Sequence, residues 1–306
     1  MISSPSLLVL GAGQLGMAVL RNLAPRAGKG KLSVLLRASS IASENPAKQR
    51  DIAELRALGV KIVQGDLARQ SAVDLAATFH PYDTVVSCTG FVGGSGVQRK
   101  IARAALDAGV KRFVPWQFGV DYDVIGRGSP QDLFDEQLDV RDMLRAQAAT
   151  EWIIISTGMF TSFLFEPAFG VVDLPANTVN ALGSLDNAVT LTTANDIGAL
   201  TAAILHAQPR IANQVVHVAG DTVTYRDVAD ALERVRGSKF TRREWPVRDL
   251  MNLLAAEPDD AMRKYRAVFA QGRGVAWDKA GTFNAERGIA VCGLEQWLRE
   301  NLTPQP

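Results

Sequence analysis

The sequence predicts an α/β protein: a doubly wound parallel sheet followed by a smaller C-terminal α/β lobe. In the first half, short apolar runs alternate with amphipathic stretches, the pattern of repeated βαβ units. After Thr157 the rhythm changes to short segments between turns. We therefore expect a larger domain over residues 1–157 and a smaller lobe over 158–306 that closes over the carboxyl edge of the sheet.

The first half contains the elements of a six-stranded parallel sheet. Helical stripes lie between the strands: one carries Leu15, Val19, Leu20 and Leu23, and two others cover about Lys48–Leu58 and Gln98–Ala108. The last two precede Gly59 and Gly109, where glycine would end a helix. The predicted strands are Leu7–Leu10, Leu32–Leu36, Val60–Val63, Thr84–Cys88, Arg112–Val114 and Trp152–Ile155.

The second half predicts mostly helices. Phe169–Val172 and Val189–Thr192 are short strand-like segments. We expect the helix at Asp196–His206 to pack back on the first domain. The predicted helices are Asp196–His206, Arg226–Val235, Val247–Ala255, Asp260–Ala270 and one near Leu294–Asn301.

Composition argues against several classes of protein. The 33 Lys and Arg residues balance 32 Asp and Glu residues, which argues against nucleic acid as a primary partner. Two isolated cysteines, Cys88 and Cys292, predict neither a disulfide framework nor a metal site, and His-Glu-x-x-His and Cys-x-x-Cys spacings do not occur. The N-terminus lacks the basic region of a secretion signal, and Trp152–Phe165 is too short and polar to span a bilayer. We expect a cytoplasmic protein without membrane partners or metal.

Three glycines follow the first strand and open a helix. Gly11, Gly13 and Gly16 have the G-x-G-x-x-G spacing of a Rossmann dinucleotide-binding turn. Gly11 would permit the tight turn, Gly13 the approach of backbone N–H groups to a pyrophosphate, and Gly16 close packing of the helix on the strand. The helix N-terminus, with Gln14 and Leu15, would then face the cofactor.

The end of the second strand favours NADP(H) over NAD(H). An acidic residue usually binds the ribose 2′-OH of NAD there, but the strand LSVLL is followed by Arg37, whose guanidinium suits a 2′-phosphate. Asp66 and Leu67 follow the third strand, where they would face the adenine. Thr89, Gly90 and Phe91 follow the fourth, beside the expected nicotinamide ribose.

Several segments resemble the NmrA-like and isoflavone-reductase-like branch of the atypical short-chain dehydrogenases. The resemblance implies that Lys48 joins Arg37 at the 2′-phosphate and that Gln117 lies at the cofactor site. It is carried by "NPAK", "LRALGVKIVQGDL", "GVKRFVPWQFG", "NDIGALTAAIL" and "NQVVHVAGDTVTYRDVADALERVRGSKF".

Three positions in two segments depart from the family pattern. The resemblance implies a lysine in the pattern F-x-x-K-x-x-(V/I)-R that serves as general acid, base or proton relay. In "FDEQLDVR" Gln137 occupies that position, and a carboxamide can hold a carbonyl but has no titratable proton near neutral pH. The usual PSEFG reads PWQFG, with Trp116 and Gln117 replacing a small residue and an acid.

Other candidates for the active site come from the same resemblance. No tyrosine has the Tyr-x-x-x-Lys spacing of ordinary short-chain dehydrogenases; the nearest substitute is Tyr122, in what reads as a loop that the family brings near the cofactor. Met159, Phe160 and Phe163 follow the sixth strand, where relatives line the substrate pocket.

Two hypotheses about function follow. The first is an NADPH-dependent reductase of a small, aromatic or conjugated carbonyl, alkene or quinone, with Gln137 and Tyr122 as its catalytic candidates. The second is a non-catalytic NADP(H)-sensing regulator that acts through a protein partner, as some relatives do. The sequence leaves a homodimer open and does not identify the substrate.

Overall fold

The computed structural model describes residues 5–91 and 93–302. They group into two compact units. The first contains the described residues up to Gln117, together with Glu136–Ile155 and Ile197–Val216. The second contains Phe118–Asp135, Ser156–Asp196 and the described residues from His217 onward. Within the described ranges, no helix has the length and apolar character needed to cross a membrane.

Strands and helices alternate along the chain as follows. The strands are β1 (Leu7–Leu10), β2 (Leu32–Leu36), β3 (Lys61–Gln64), β4 (Thr84–Ser87), β5 (Arg112–Val114), β6 (Glu151–Ser156), β7 (Met159–Phe160), β8 (Val172–Asp173), β9 (Thr178–Leu182), β10 (Ala188–Thr192), β11 (Gln214–His217), β12 (Asp221–Thr224) and β13 (Thr241–Trp245). The helices are α1 (Gln14–Leu23), α2 (Ala38–Ile41), α3 (Pro46–Ala57), α4 (Ala72–Phe79), α5 (Val97–Asp107), α6 (Tyr122–Ile125), α7 (Leu133–Arg145), α8 (Ala194–Leu205), α9 (Tyr225–Arg236), α10 (Val247–Ala256), α11 (Ala261–Ala270), α12 (Phe283–Glu286) and α13 (Leu294–Leu302).

The central sheet has the strand order of a doubly wound fold. Its order is β11-β6-β5-β4-β1-β2-β3, and the pairings from β3 through β6 are parallel. The strand order reverses between β1 and β4, which is the point where such sheets bind ligands. All six predicted strands are confirmed. The expected number was wrong, because in the described part of the chain β11 adds a seventh strand beside β6.

Most predicted ends of strands and helices differ from the observed ends by one or two residues. The third strand begins at Lys61 because the backbone N–H of Val60 still bonds the Leu55 carbonyl at the end of α3. Gly59 has φ +71°, so it ends α3 in the left-handed conformation that the sequence predicts. The predicted helix from Asp260 begins one residue later, because Asp260 is its N-cap and accepts from the Arg263 N–H.

The core of the first unit lies between the sheet and three helices. Leu8 and Leu10 of β1 pack in one buried cluster with Leu75 of α4, Ile101 of α5 and Leu144 of α7. All four residues of β1 are buried, as expected for a central strand covered on both faces. Helix α8 lies directly against α1, since a Cβ on Gly198 would come within 2.5 Å of the Ala18 carbonyl carbon.

The second unit holds two small sheets that the sequence predicts only in part. Within the described residues the strand orders are β12-β10-β7 and β13-β9-β8. The strand expected over Phe169–Val172 was wrong except at Val172, because Phe169 and Gly170 form a turn onto the Glu166 carbonyl. Strands β9, β12 and β13 were not predicted.

We predict that Arg112 stabilises the first unit far more than the neighbouring Arg210. Arg112 is buried, and its two terminal nitrogens donate to the Leu205 and Ile211 carbonyls at 2.8 and 2.7 Å. Arg112→Met should lower the free energy of unfolding by about 3 kcal/mol, because the lost bonds are buried and charged. Arg210→Met removes only a surface pair with Glu151 and should cost less than about 1 kcal/mol. Equal losses in denaturant titrations of the two variants would contradict this assignment.

Candidate functional site

A cavity of about 290 Å³ opens in the first unit where β1 to β4 end. Eight of the predicted cofactor-binding residues line it: Gly11, Gly13, Arg37, Lys48, Asp66, Leu67, Thr89 and Gly90. The lining also includes residues that the sequence did not single out, among them Ser40, Asp51, Cys88 and Val97. The structure therefore brings together residues from the ends of four strands and the start of α3.

The glycine turn brings α1 close to the end of β1. Gly11 has φ +87°, a conformation that glycine adopts without strain. A Cβ on Gly16 would lie 2.2 Å from the Gly11 carbonyl oxygen, so only glycine permits this packing. Around Gly13, in contrast, no described atom lies within 4 Å of a Cβ position. Among the described residues no side chain caps α1, so its first N–H groups are available to an anion at the cavity.

Two cations and two acids line the cavity. Arg37 is the exposed N-cap residue of α2, and Lys48 lies in the first turn of α3, where the Asn45 side chain caps the helix. Asp51 lies one turn after Lys48, and Asp66 follows β3; both line the same cavity. Arg37 and Lys48 are therefore the side chains that could pair with a phosphate, while the lining as a whole holds as many acids as cations.

The loops after β3 and β4 form the remaining wall. The Asp66 carboxylate accepts from the Ala68 and Arg69 N–H groups at 2.9 and 3.1 Å, so it shapes its own turn. Thr89 and Gly90 follow β4, and Gly90 has φ +59°. Cys88, just before them, also lines the cavity. Burial raises the pKa of its thiol, so the sulfur contributes to the cavity lining and does not act as a nucleophile.

Five other predicted cofactor residues lie outside this lining. Gln14 is exposed at the start of α1, whereas Leu15 and Gly16 are buried in that helix. Phe91 lies in the turn after β4. Gln117 is fully buried behind β5 and faces α7.

Gln117 and Gln137, two of the three positions expected to depart from the family pattern, contact each other. Gln117 Nε2 donates to the side-chain oxygen of Gln137 at 2.8 Å and to its backbone carbonyl at 3.0 Å. Gln117 Oε1 accepts from Arg141 Nε at 2.9 Å. All three side chains are fully buried, and among the described residues Nε2 of Gln137 has no hydrogen-bond partner. The position expected to hold a lysine is therefore part of a neutral amide pair beside a buried guanidinium.

The predicted substrate residues lie in the second unit, on or beside a chain of aromatic contacts. Tyr122 was expected in a loop, but it is the first residue of α6, where Asp121 caps the helix, and it is buried. Its ring meets that of Phe134 edge-to-face, with centroids 4.9 Å apart. Phe134 contacts Tyr265, which contacts the half-buried Phe163. Burial raises the pKa of Tyr265 to about 12. Met159 and Phe160 form β7, with Met159 buried and Phe160 half-buried.

The structure adds an ionisable pair that sequence reasoning passed over. His217 Nε2 and Asp121 Oδ2 lie 3.1 Å apart, and the His217 ring meets Trp277 edge-to-face. Asp121 and His217 are 96 residues apart in sequence, so no local spacing could have indicated the pair. Among the described residues, no group of three or more His, Cys, Asp or Glu side chains is arranged to hold a metal ion.

The doubly wound sheet and its glycine turn define the class of α/β dinucleotide-binding folds. A model of the NmrA-like family matches residues 4–281, so the chain belongs to the NmrA-like family. An NmrA-like family domain-containing oxidoreductase of Gibberella moniliformis is 48% identical over 300 residues, which cover 97% of this chain and 98% of that protein. Phenylcoumaran benzylic ether reductase Pyrc5 of Pyrus communis is 28% identical over 83% of each chain.

Solved structures share the fold. The crystal structure of an isoflavone reductase has a TM-score of 0.79 at 20% identity and covers 97% of this chain and 99% of that one. An NADPH-dependent quinone oxidoreductase from Escherichia coli has a TM-score of 0.73 at 20% identity, with 97% and 100% covered.

We predict that one added methyl group has a large effect at Gly16 and a small effect at Gly13. Gly16→Ala should lower the free energy of unfolding by about 1–3 kcal/mol, because the new Cβ overlaps the Gly11 carbonyl. Gly13→Ala should change it by less than about 1 kcal/mol, since its backbone is extended and its surroundings are open. Thermal unfolding of both variants checks this, and a Gly16→Ala variant as stable as the native chain would contradict the close packing.

We predict that lysine at position 137 is tolerated only with an acid at position 117. Gln137→Lys alone buries a second cation four residues from Arg141 and should cost about 3 kcal/mol of unfolding free energy. Adding Gln117→Glu supplies a carboxylate to both cations and should recover most of that loss.

A third variant, Gln137→Met, controls for loss of the amide without added charge. Denaturant titrations of all three variants measure the effect. If Gln137→Lys alone were as stable as the native chain, the tight amide pair would be refuted.

Proposed function

We propose that this chain is an NADPH-dependent oxidoreductase that reduces a small aromatic or conjugated carbonyl, alkene or quinone. The observation that carries the proposal is the cavity where β1 and β2 end. There the uncapped N-terminus of α1 and the cations Arg37 and Lys48 line one space. A dinucleotide with a 2′-phosphate needs these two features: backbone N–H groups for its pyrophosphate and cations for its extra phosphate.

In this proposal each part of the cavity binds one part of the cofactor. The backbone N–H groups of the first turn of α1, after Gly13, bind the pyrophosphate. The pyrophosphate can approach them closely because Gly13 has no side chain. Arg37 and Lys48 hold the 2′-phosphate, with Ser40 beside them. Asp66 and Leu67 face the adenine, and Thr89 and Gly90 face the nicotinamide ribose. Positive charge at the 2′ position favours NADP(H) over NAD(H).

The proposed reaction depends little on ionisable side chains of the protein. NADPH supplies a hydride when bound. Neither Gln117 nor Gln137 carries a titratable proton, so at these positions the chain orients and hydrogen-bonds rather than protonates. The free Nε2 donor of Gln137 is the group that we assign to a substrate oxygen. Because the amide is buried against Gln117, this role requires its side chain to turn. Acceptors that need little acid assistance, quinones above all, suit such a site.

The second unit supports an aromatic substrate. Phe163 and Phe160 are half-buried, so part of each ring is available to a flat apolar ligand. Tyr122, its hydroxyl close over the backbone of Gly119, is the proposed proton donor where an acceptor requires one. Among the relatives, the Pyrus communis protein is named for reduction of a phenylcoumaran benzylic ether, and the Gibberella moniliformis protein is named an oxidoreductase. We also propose a cytoplasmic location.

The alternative function is a cofactor sensor. The specific observation in its favour is the neutral amide pair, which leaves no titratable group at position 117 or position 137. A sensor would bind NADP(H) without turnover and report occupancy to a protein partner.

One assay separates the two functions. Purified protein is mixed with NADPH and a panel of quinones, aromatic aldehydes and conjugated alkenes, and absorbance of the reduced cofactor is followed. The Gln117→Glu/Gln137→Lys double variant is assayed in parallel. Turnover by the native chain supports the reductase. Tight NADP(H) binding without turnover, with activity appearing only in the double variant, would favour the sensor.

We predict that the cations at the cavity discriminate between the cofactors. Arg37→Ala and Lys48→Ala should each weaken NADPH binding by roughly 10- to 100-fold, because each loses a charge-assisted bond to the 2′-phosphate. NADH binding should change far less. Arg50→Ala is the matched control, since Arg50 is exposed on α3 outside the cavity lining. Calorimetric titration measures all three, and equal losses for NADPH and NADH would refute the 2′-phosphate assignment.

A further inference from the structure

The first unit contains a second glycine-rich loop that leads into a helix. Gly90 follows β4, Gly94 and Gly96 precede α5, and all three have positive φ. A glycine-rich loop before a helix can bind an anion, as the turn before α1 does in the proposed function. The two loops differ in what faces the helix N-terminus.

A buried carboxylate from α7 occupies the N-terminus of α5. Glu136 is only 5% exposed. One of its oxygens accepts from the Gln98 and Arg99 N–H groups at 2.8 and 3.1 Å, and the other accepts from the Gly96 N–H at 2.8 Å. A carboxylate at this position satisfies N–H groups that have no partner within the helix and is favoured by the helix dipole. The chain thus supplies its own anion to α5.

The first turn of α5 also determines where the cavity wall lies. Val97, the first residue of α5, lines the cavity together with Thr89 and Gly90. The side chain of Gln98 donates to the Gly90 carbonyl, and its backbone N–H donates to Glu136, so Gly90 is linked to the N-terminus of α5 through Gln98. Any shift of the α5 N-terminus would therefore move Gln98 and its contact with Gly90.

Helix α5 also contacts the loop after β3. Lys100, in the next turn of α5, donates to the Ala68 and Gln70 carbonyls, both at 2.9 Å. These carbonyls belong to the loop after β3, where Asp66 and Leu67 line the cavity. Two side chains of α5 thus contact different parts of the cavity lining: Gln98 holds Gly90, and Lys100 holds the loop after β3.

We propose that Glu136 is a positioning residue for the nicotinamide half of the cofactor. It acts through Gln98, whose backbone N–H it holds at the N-terminus of α5 and whose side chain donates to the Gly90 carbonyl, and it leaves the uncapped N-terminus of α1 for the pyrophosphate. The inference rests on the proposed function, because it assumes that the cavity binds NADPH. Glu136 lies on α7, next to Gln137 in sequence. Its carboxylate does not touch the cofactor, yet it determines how tightly the nicotinamide half binds.

The test compares a whole cofactor with a fragment. Calorimetry on the full chain measures binding of NADPH and of adenosine 2′,5′-bisphosphate, which lacks the nicotinamide half. Glu136→Ala should weaken NADPH binding at least about tenfold and the fragment less than about twofold, because only the Thr89–Gly90 wall is disturbed. Glu136→Gln, which keeps one acceptor oxygen and loses the charge, should give an intermediate loss for NADPH. Formate, added as a small carboxylate, should restore part of the NADPH affinity of Glu136→Ala.

Two further variants control for a general loss of structure. Asp139→Asn removes a surface pair with Arg99 one turn along α7 and should leave both affinities unchanged. Lys100→Met should weaken the fragment and NADPH alike, since it disturbs the adenine wall. Equal losses of fragment and cofactor in both Glu136 variants, or unchanged NADPH affinity, would overturn the inference. Failure of the native chain to bind either ligand would instead overturn the proposed function itself.

Discussion

The close approach of α1 to the turn after β1 is the contact on which the rest of the first unit depends. Gly16 lies so near the Gly11 carbonyl that even one additional carbon would overlap it. This contact places the N-terminus of α1 at the carboxyl end of β1, beside β4 and at the reversal of strand order. The cavity, with Arg37 and Lys48 on one side and Thr89 on the other, follows from that placement.

Helix α7 imposes a second constraint that is not visible in any local motif. Two adjacent residues of this helix reach different partners: Glu136 holds the loop before α5, and Gln137 pairs with Gln117 after β5. Positions 117 and 137 are in contact, and neither side chain carries a charge. A neutral pair avoids the desolvation that buried ions incur, but it gives up a titratable group at that position. For a hydride acceptor such as a quinone this loss is small, which is why the amide pair and the proposed substrate class fit together.

The sequence predicted the first unit well because most of its strands are buried on both faces and therefore appear as continuous apolar runs, with β3, whose Lys61 and Gln64 are exposed, as an exception. The second unit was harder to predict. The residues of β12 are all half-buried, and β13, with the sequence TRREW, is largely exposed, so neither shows an apolar run or a clear alternation. Apart from Lys48 in α3, which the family resemblance implied, the cavity residues that sequence identified follow strands or lie in the glycine turn, where the fold class itself assigns a location. Glu136 and the His217–Asp121 pair could not be found this way, because each depends on contacts between residues at least 37 positions apart.

In the proposed function this chain binds NADPH and reduces its acceptor without a titratable group at position 137. The most direct test is the single-turnover rate of NADPH oxidation with a quinone acceptor, measured from about pH 6 to about pH 9. We expect a rate that does not change with pH over this range, because neither amide of the Gln117–Gln137 pair ionises. A rate that follows an ionisation within the range would mean that another group delivers the proton and would refute this mechanism.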